Sequence, residues 1–253
     1  MARKQTPCQK AHLNFRSQEA NLANLRALHT KLQAKGEGEW LEREQRLLEK
    51  KIDLNRANFY HNLDETLNKR RVEFKDRYLH AVSLGRFQEA RAVLREHGGQ
   101  GYLLDGQGEK LPGLTLSPRD ELKTGYVRGR AVLRSNNRCY LLDQTGQKLH
   151  AEGFAQITPD YPVYQAYEDE RRVHLLNTEG ERITKMAYRK IGRFVRGKAM
   201  AITQDRHCVF LGENGAELWN QRFDAAFGFE NGRARVKLDG EEFYINEAGE
   251  RIN

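Results

Sequence analysis

The spacing of apolar positions changes near residue 100. Before that point they recur at helical intervals through residues 12 to 97, a stretch without proline. Leu22, Leu25 and Leu32 share one face, as do Trp40, Leu47 and Leu54, then Tyr60, Leu63 and Leu67, then Phe74, Tyr78 and Val82, then Phe87, Ala90 and Leu94. This spacing predicts four or five amphipathic helices. Gly36, Gly38 and Gly85 are the expected breaks, because a glycine inside a helix costs about 1 kcal/mol. Gly98 and Gly99 after His97 form a helix stop. From Gly101 onward polar and apolar residues alternate, as they do along half-buried strands.

The alternating region repeats. The segments GYLLDGQGEKL, RCYLLDQTGQKLH, RVHLLNTEGERIT, CVFLGENGAEL and EEFYINEAGERIN carry turn glycines at Gly108, Gly146, Gly180, Gly215 and Gly249, so copies lie 38, 34, 35 and 34 residues apart. Three residues before each glycine stand Asp105, Asp143, Asn177, Gly212 and Asn246. Asp or Asn opening a turn that a glycine closes is hairpin chemistry. Four copies are preceded by another strand pattern: residues 127–134, 162–169, 195–202 and 230–237. The first copy shows no such leading strand. Each unit therefore reads as a three-stranded meander, and Phe154, Tyr188 and Phe223 are the expected anchors of the linkers between units. One meander cannot bury both its faces, so several must stack and share a core.

The stretch FDAAFGFENGRARVKLDGEEFYINEAGERI, together with its earlier copies over about residues 100–253, resembles the bacterial WG repeat, although the Trp-Gly dipeptide that names that family is absent. The resemblance implies a β-repeat module used for binding, with no assigned catalytic residues. FKDRYLHAVSLGRFQEARAVLREHG is similar to a single tetratricopeptide-type helical hairpin. The expected fold class is α+β in series: a basic α-helical domain over residues 1–98, then an all-β repeat domain of three-stranded meanders over residues 99–253, arranged as a propeller-like ring or an open curved array.

Charge refines this picture. The net charge is +8, and residues 1–98 hold 20 Lys+Arg against 13 Asp+Glu, leaving 23 against 22 for the remainder. The basic character belongs to the first segment. At 38% apolar and 31% charged the composition suits a repeat architecture, in which much of each unit stays at the surface. No apolar run approaches the roughly 18 residues of a membrane span, and the first residues lack a signal-peptide core, so a cytoplasmic protein without membrane attachment is expected. Cys8, Cys139 and Cys208 lack CxxC spacing and read as reduced thiols.

No catalytic pattern emerges. Gly192 to Ala199 (GRFVRGKA) imitates a phosphate-binding loop but ends in alanine, where that motif needs Ser or Thr to hold magnesium. The eight histidines form no HxxxH or HExxH. We expect no enzyme, metal or cofactor. The expected function is a non-enzymatic binding or scaffold protein whose repeats and basic helices meet other proteins, with an acidic protein as partner and self-association through the helices. The alternative is a nucleic-acid-associated factor that uses the basic helices as an electrostatic clamp. Candidate contact residues are Arg70, Arg71 and Lys75 in the helical segment and Arg128, Arg130, Arg196, Lys198, Arg233 and Arg235 in the repeats. Tyr126, Tyr164 and Phe229 are expected to be exposed aromatics beside them.

Overall fold

The structure, a computed structural model, describes residues 39–252. The helix expected around Leu22, Leu25 and Leu32, the break at Gly36 and Gly38, and Cys8 lie outside the described residues. Two compact units divide the chain: one takes it to Pro118 together with Gly125–Gly129, the other takes Arg119–Thr124 and the chain from Arg130.

The first unit begins with α1 (Glu39–Lys69) and α2 (Arg71–Asp76). Ile52 and Leu67 are buried on α1, with Tyr60 and Leu63 partly so, a stripe at helical spacing. Leu47 and Leu54, expected on an inner face, are exposed. Four strands follow: β1 (Ala81–Leu84), β2 (Ala92–Glu96), β3 (Gly101–Leu104) and β4 (Lys110–Leu116), paired in that order as one antiparallel sheet. Leu67 and Phe74 from the helices join Leu84, Phe87, Ala92, Leu94 and Leu104 in one core.

This corrects the expected helical reading of residues 77 to 97. The region is β1, a turn and β2, so neither a tetratricopeptide-type hairpin nor helices on Val82 or Leu94 form. The expected domain boundary between residues 98 and 99 falls instead in the turn joining two paired strands. The physical reason is a turn that lacks its usual glycine. In the second, fourth and fifth repeats the leading strand enters through Arg128-Gly129, Arg196-Gly197 and Asn231-Gly232, all at positive φ. In the first repeat the same place holds Glu89 (φ 46°) and Ala90 (φ 59°). Ala90 in that slot disguises the turn as helix-forming sequence, and pairing with β3 then overrides helix propensity. The first copy thus has a leading strand after all.

The helix supplies what the missing glycine does not. Both Asp64 carboxylate oxygens accept backbone N–H groups of this turn, from Glu89 and Ala90, each at 2.7 Å. Asn68 brackets Phe87, accepting its N–H at 2.8 Å and donating to its carbonyl at 3.3 Å. Glu89 passes the arrangement on, accepting the N–H groups of Arg128 (2.7 Å) and Gly129 (2.6 Å). The Arg128 side chain returns to Asp53 of α1 at 2.5 Å.

The second unit contains four sheets in series: β5 (Glu121–Leu122), β6 (Ala131–Ser135) and β7 (Arg138–Leu142); β8 (Gln156–Asp160), β9 (Val163–Asp169) and β10 (Arg172–Leu176); β11 (Lys190–Ile191), β12 (Lys198–Ile202) and β13 (Cys208–Gly212); and β14 (Ala225–Ala226), β15 (Arg233–Leu238), β16 (Glu241–Asn246) and β17 (Arg251–Ile252). Every pairing is antiparallel between neighbours in sequence. The linkers are themselves strands, since β8, β11 and β14 form the first strand of each sheet. The returning strand shrinks to single bridges such as Leu142 with Lys148. The GRFVRGKA segment spans the β11–β12 turn, followed by a strand where a phosphate-binding loop would need a helix.

The turn chemistry read from the sequence is present in each copy. In the first, second, third and fifth copies Asp105, Asp143, Asn177 and Asn246 accept two backbone N–H groups across the turn. In the fourth, where Gly212 has no side chain, Asn214 takes over with one such bond to Ala216 N at 3.1 Å. The glycines also permit close stacking. A Cβ on Gly215 would lie 2.4 Å from the Ile183 carbonyl oxygen, and one on Gly249 would lie 2.6 Å from the Trp219 ring. In the first unit Phe74 of α2 stands at 2.5 Å from the same position on Gly108, so the helix occupies on the first repeat the place a preceding repeat occupies elsewhere.

The linker anchors behave as the sequence suggests. Phe154, Tyr188 and Phe223 are 3%, 2% and 0% exposed, and each exchanges two backbone hydrogen bonds with the last strand of the preceding sheet, at Cys139, Val173 and Cys208. Three cores result: Val132, Leu141 and Phe154 with Ile157, Tyr164 and Ala166; Val173 and Leu175 with Ala199, Val209 and Leu211; Phe210 and Phe223 with Ala234, Val236 and Ile245. Each lies between one sheet and the following one.

Candidate functional site

Within the second unit, the repeat register itself points to the site. The residue five before each turn glycine is Leu103, Leu141, Leu175, Phe210 and finally Tyr244. The first four are between 0% and 1% exposed, whereas Tyr244 is 39% exposed. Their cross-strand partners are Val93, Val132, Gln165 and Met200 in the first four repeats and Arg235 in the fifth. Leu141, Leu175 and Phe210 are covered by the following sheet. The fifth sheet presents this same face to solvent, and its residues differ accordingly.

On that face Arg233 and Arg235 alternate along β15 with the buried Ala234 and Val236. Tyr244 is the cross-strand partner of Arg235, and Phe227 donates its backbone N–H to the Arg235 carbonyl at 2.9 Å. The Arg235 guanidinium lies 4.3 Å from the centroid of Phe227, and that of Arg233 4.8 Å from the centroid of Tyr244. Such stacking restrains the planar fork while its N–H groups keep their capacity to donate. Glu242 approaches Arg235 at 4.0 Å. Phe227 is 54% exposed. An open cleft of about 640 Å³ runs here, lined by Arg193, Val195 and Met200 of the fourth repeat and by Phe227, Glu230, Arg233, Arg235 and Tyr244 of the fifth. Its volume falls within the range of roughly 300–1,000 Å³ common for ligand sites.

The other candidate residues serve the fold. Arg196 and Lys198 converge on Glu247, at 3.1 and 3.7 Å. Arg130 donates to the Thr178 carbonyl at 2.5 Å, and Arg128 is held by Asp53. In the first unit Arg71 donates to the Leu84 carbonyl at 2.9 Å, and Arg70 pairs with Glu73 at 2.9 Å while lying over Phe74. Lys75 is half-buried on α2. Tyr126, Tyr164 and Phe229 are not exposed aromatics: at 3%, 1% and 5% exposure they are core residues, because each falls on the inward side of its turn or strand. Among the described residues the exposed rings are Phe227 and Tyr244. Aligning the copies residue by residue would have found them, since both stand where other repeats carry small or buried apolar residues.

Among the described residues no group of three or more His, Cys, Asp and Glu side chains is placed to hold a metal ion, and no helix is long and apolar enough to cross a membrane. Cys139 and Cys208 are buried free thiols at equivalent positions, and burial pushes the Cys208 thiol upward.

Two histidines are tuned to remain neutral. Leu141 donates its N–H to His150 Nε2 at 3.0 Å, so Nδ1 carries the proton and donates to the Glu152 carbonyl at 2.5 Å. His174 sits beside Thr184 and is 3.2 Å from Glu168, a carboxylate it shares with Arg172 and Arg182. Burial lowers both imidazoles, and nearby Lys148 and Arg182 lower His150 further, as Arg182 does His174. A histidine with a lowered folded value binds its proton more readily when unfolded. Stability is therefore complete above the ordinary imidazole value near 6.5 and falls as pH drops below it. Thermal unfolding followed by circular dichroism should show the midpoint falling between about pH 7.5 and about pH 5.5, with a shallower fall in H150Q/H174Q.

No model of a known protein family matches the chain, and no curated protein matches it in sequence. Among solved structures it is similar to BamB from Moraxella catarrhalis, at 14% identity over 68% of this chain and 72% of that one, with a TM-score of 0.29. It is also similar to Hsv2 from Kluyveromyces lactis, at 6% identity over 65% and 59% of the two chains (TM-score 0.32), and to the N-terminal domain of Nup159, at 8% over 65% and 58% (TM-score 0.33). The chain spans about three fifths of the length of the latter two. The architecture described above rests on the chain's own strand pairing: small antiparallel β-sheets repeated in series, preceded by a helix.

Proposed function

We propose that this chain is a non-enzymatic binding or scaffold protein built on repeats of the WG kind, and that the open face of its fifth repeat meets a protein partner. The observation that carries this reading is the change at the position five before the turn glycine: a buried Leu or Phe in four repeats, and in the fifth an exposed Tyr244 paired with Arg235. A sheet face exposed to solvent needs polar residues for solubility. Solubility alone gives no reason to place Phe227 and Tyr244 there, since lysine and glutamate would serve without exposing rings. Exposed aromatic residues stacked with arginine are the residue types enriched at interface centres.

The electrostatic-clamp alternative draws less support, because Arg70 and Arg71 are spent on contacts within their own unit. Nor is a fragment ending at residue 98 a sound reagent, since it would sever the first sheet between β2 and β3.

The test is a native-lysate pull-down with the full chain and with R233Q/R235Q/F227S, each with and without nuclease. Defined proteins retained by the wild-type chain after nuclease, and lost from the variant, are the expected result. Recovery that collapses with nuclease, or that the variant leaves unchanged, would remove the reading.

A further inference from the structure

Resting on that binding reading, we propose that the exposed face of the fifth repeat takes an extended acidic protein segment with carboxylates at alternate positions and an apolar side chain beside them. The spacing comes from β15. Arg233 and Arg235 are two residues apart on one strand face, which places their Cα atoms about 6.6–6.8 Å apart. An extended peptide carries its own alternate side chains at the same interval, so Asp or Glu at positions i and i+2 meets both guanidinium groups. Each arginine is already seated against a ring, Arg235 on Phe227 and Arg233 on Tyr244. Little side-chain freedom is left to lose when a carboxylate engages the fork, and planar two-point contacts of this kind are among the stronger charge-assisted pairs.

The apolar part of the partner is called for by the cleft. Phe227 and Val195 are 54% and 41% exposed, and Met200 belongs to the same lining. A single aliphatic or aromatic side chain covers this surface and shields the neighbouring ion pairs from water.

Charge selects a peptide over a nucleic acid. The charged residues lining the cleft are Arg193, Arg233 and Arg235 against Glu230, an excess of two positive charges, and Glu242 stands beside Arg235. A phosphate backbone is followed by an unbroken cationic track. Here Glu230 and Glu242 interrupt three arginines, an arrangement that suits a short ligand carrying a few fixed negative charges better than a continuous polyanion.

The experiment is fluorescence anisotropy with the full chain and a labelled peptide, Ser-Glu-Ser-Glu-Ser-Phe. Its glutamine counterpart and a labelled oligothymidylate of about 12 nucleotides serve as comparisons. The expected result is that the glutamate peptide binds at least ~10-fold more tightly than the glutamine form, that R233Q/R235Q loses at least ~10-fold, and that F227S loses ~3-fold or more. These three side chains are exposed, so circular dichroism of the variants should match the wild type. Equal binding of the two peptides, or binding unchanged in R233Q/R235Q, overturns the inference. So does tighter binding of the oligonucleotide that the same substitution abolishes. If lysate proteins are captured through this face while the peptide is not bound, the acidic-segment inference falls and the binding reading stands. If neither is bound, both fall.

Discussion

Phe223→Ala should lower the unfolding free energy of the repeat unit by about 3–5 kcal/mol. The ring is 0% exposed and lies in the core between the fourth and fifth sheets, edge-to-face with Phe210 at a centroid distance of 6.1 Å. Its backbone closes two hydrogen bonds with Cys208, at 2.8 and 2.9 Å, which fix where the linker leaves one sheet and enters the next. Truncation leaves a cavity that the strands cannot close without breaking that bridge. Tyr188→Phe is the matching control at the preceding junction. It keeps the ring and deletes only the hydroxyl, which donates to Glu217 at 3.2 Å and whose pKa is pushed up to about 12, chiefly by burial. Its cost should stay near ~1 kcal/mol, the usual value for one hydrogen bond. Urea unfolding of the full chain, read by near-ultraviolet circular dichroism, separates the two. Equal losses would mean that the anchor acts through its polar group and not through packing.

Asp64→Ala should cost about 2–4 kcal/mol through the first unit. One carboxylate there holds two backbone N–H groups of a turn whose residues, Glu89 and Ala90, both sit at positive φ. Each non-glycine residue in that region carries about 1–2 kcal/mol of steric cost, which the helix offsets by supplying acceptors. Burial raises the Asp64 pKa while the two N–H groups pull it down, so the carboxylate itself is held at a cost. Ala90→Gly relieves the strain directly. It should recover up to ~1 kcal/mol, more in the Asp64→Ala background than in the wild type, and a double-mutant cycle on urea midpoints measures that coupling. If the two substitutions simply add, Asp64 and the turn are independent and the helix is not what holds it.

This turn also explains where sequence reading went astray. Gln88 to Glu96 is rich in helix formers, and alternation cannot be told from helical spacing over so short a run. Set beside the second copy, Arg91-Ala92-Val93-Leu94 matches Arg130-Ala131-Val132-Leu133, but the glycine that marks the turn in the second, fourth and fifth repeats is replaced by Ala90. The compensation comes from Asp64, 26 residues away. No local pattern announces it.

The arginines of the candidate site were only partly legible. Alternation along residues 233–238 places Arg233 and Arg235 on one face, and the register agrees. Alternation gives no means of telling them from Arg128, Arg130, Arg196 and Lys198, which look equivalent and are occupied by Asp53, a carbonyl oxygen and Glu247. Nor does it separate the exposed Phe227 from the buried Phe229 two residues on, because both belong to the same linker.

By itself the sequence determined the repeat: its period, its Asx-glycine turns and its linker aromatics. These depend on backbone geometry and on contacts within a few residues, and such requirements are written again in each copy. Tertiary packing settled that the first repeat has a leading strand, that the helix packs on that repeat, and that Arg233, Arg235 and Tyr244 are exposed on the fifth sheet. Those outcomes turn on which surfaces meet across long separations, where a single acceptor such as Asp64 outweighs local propensity.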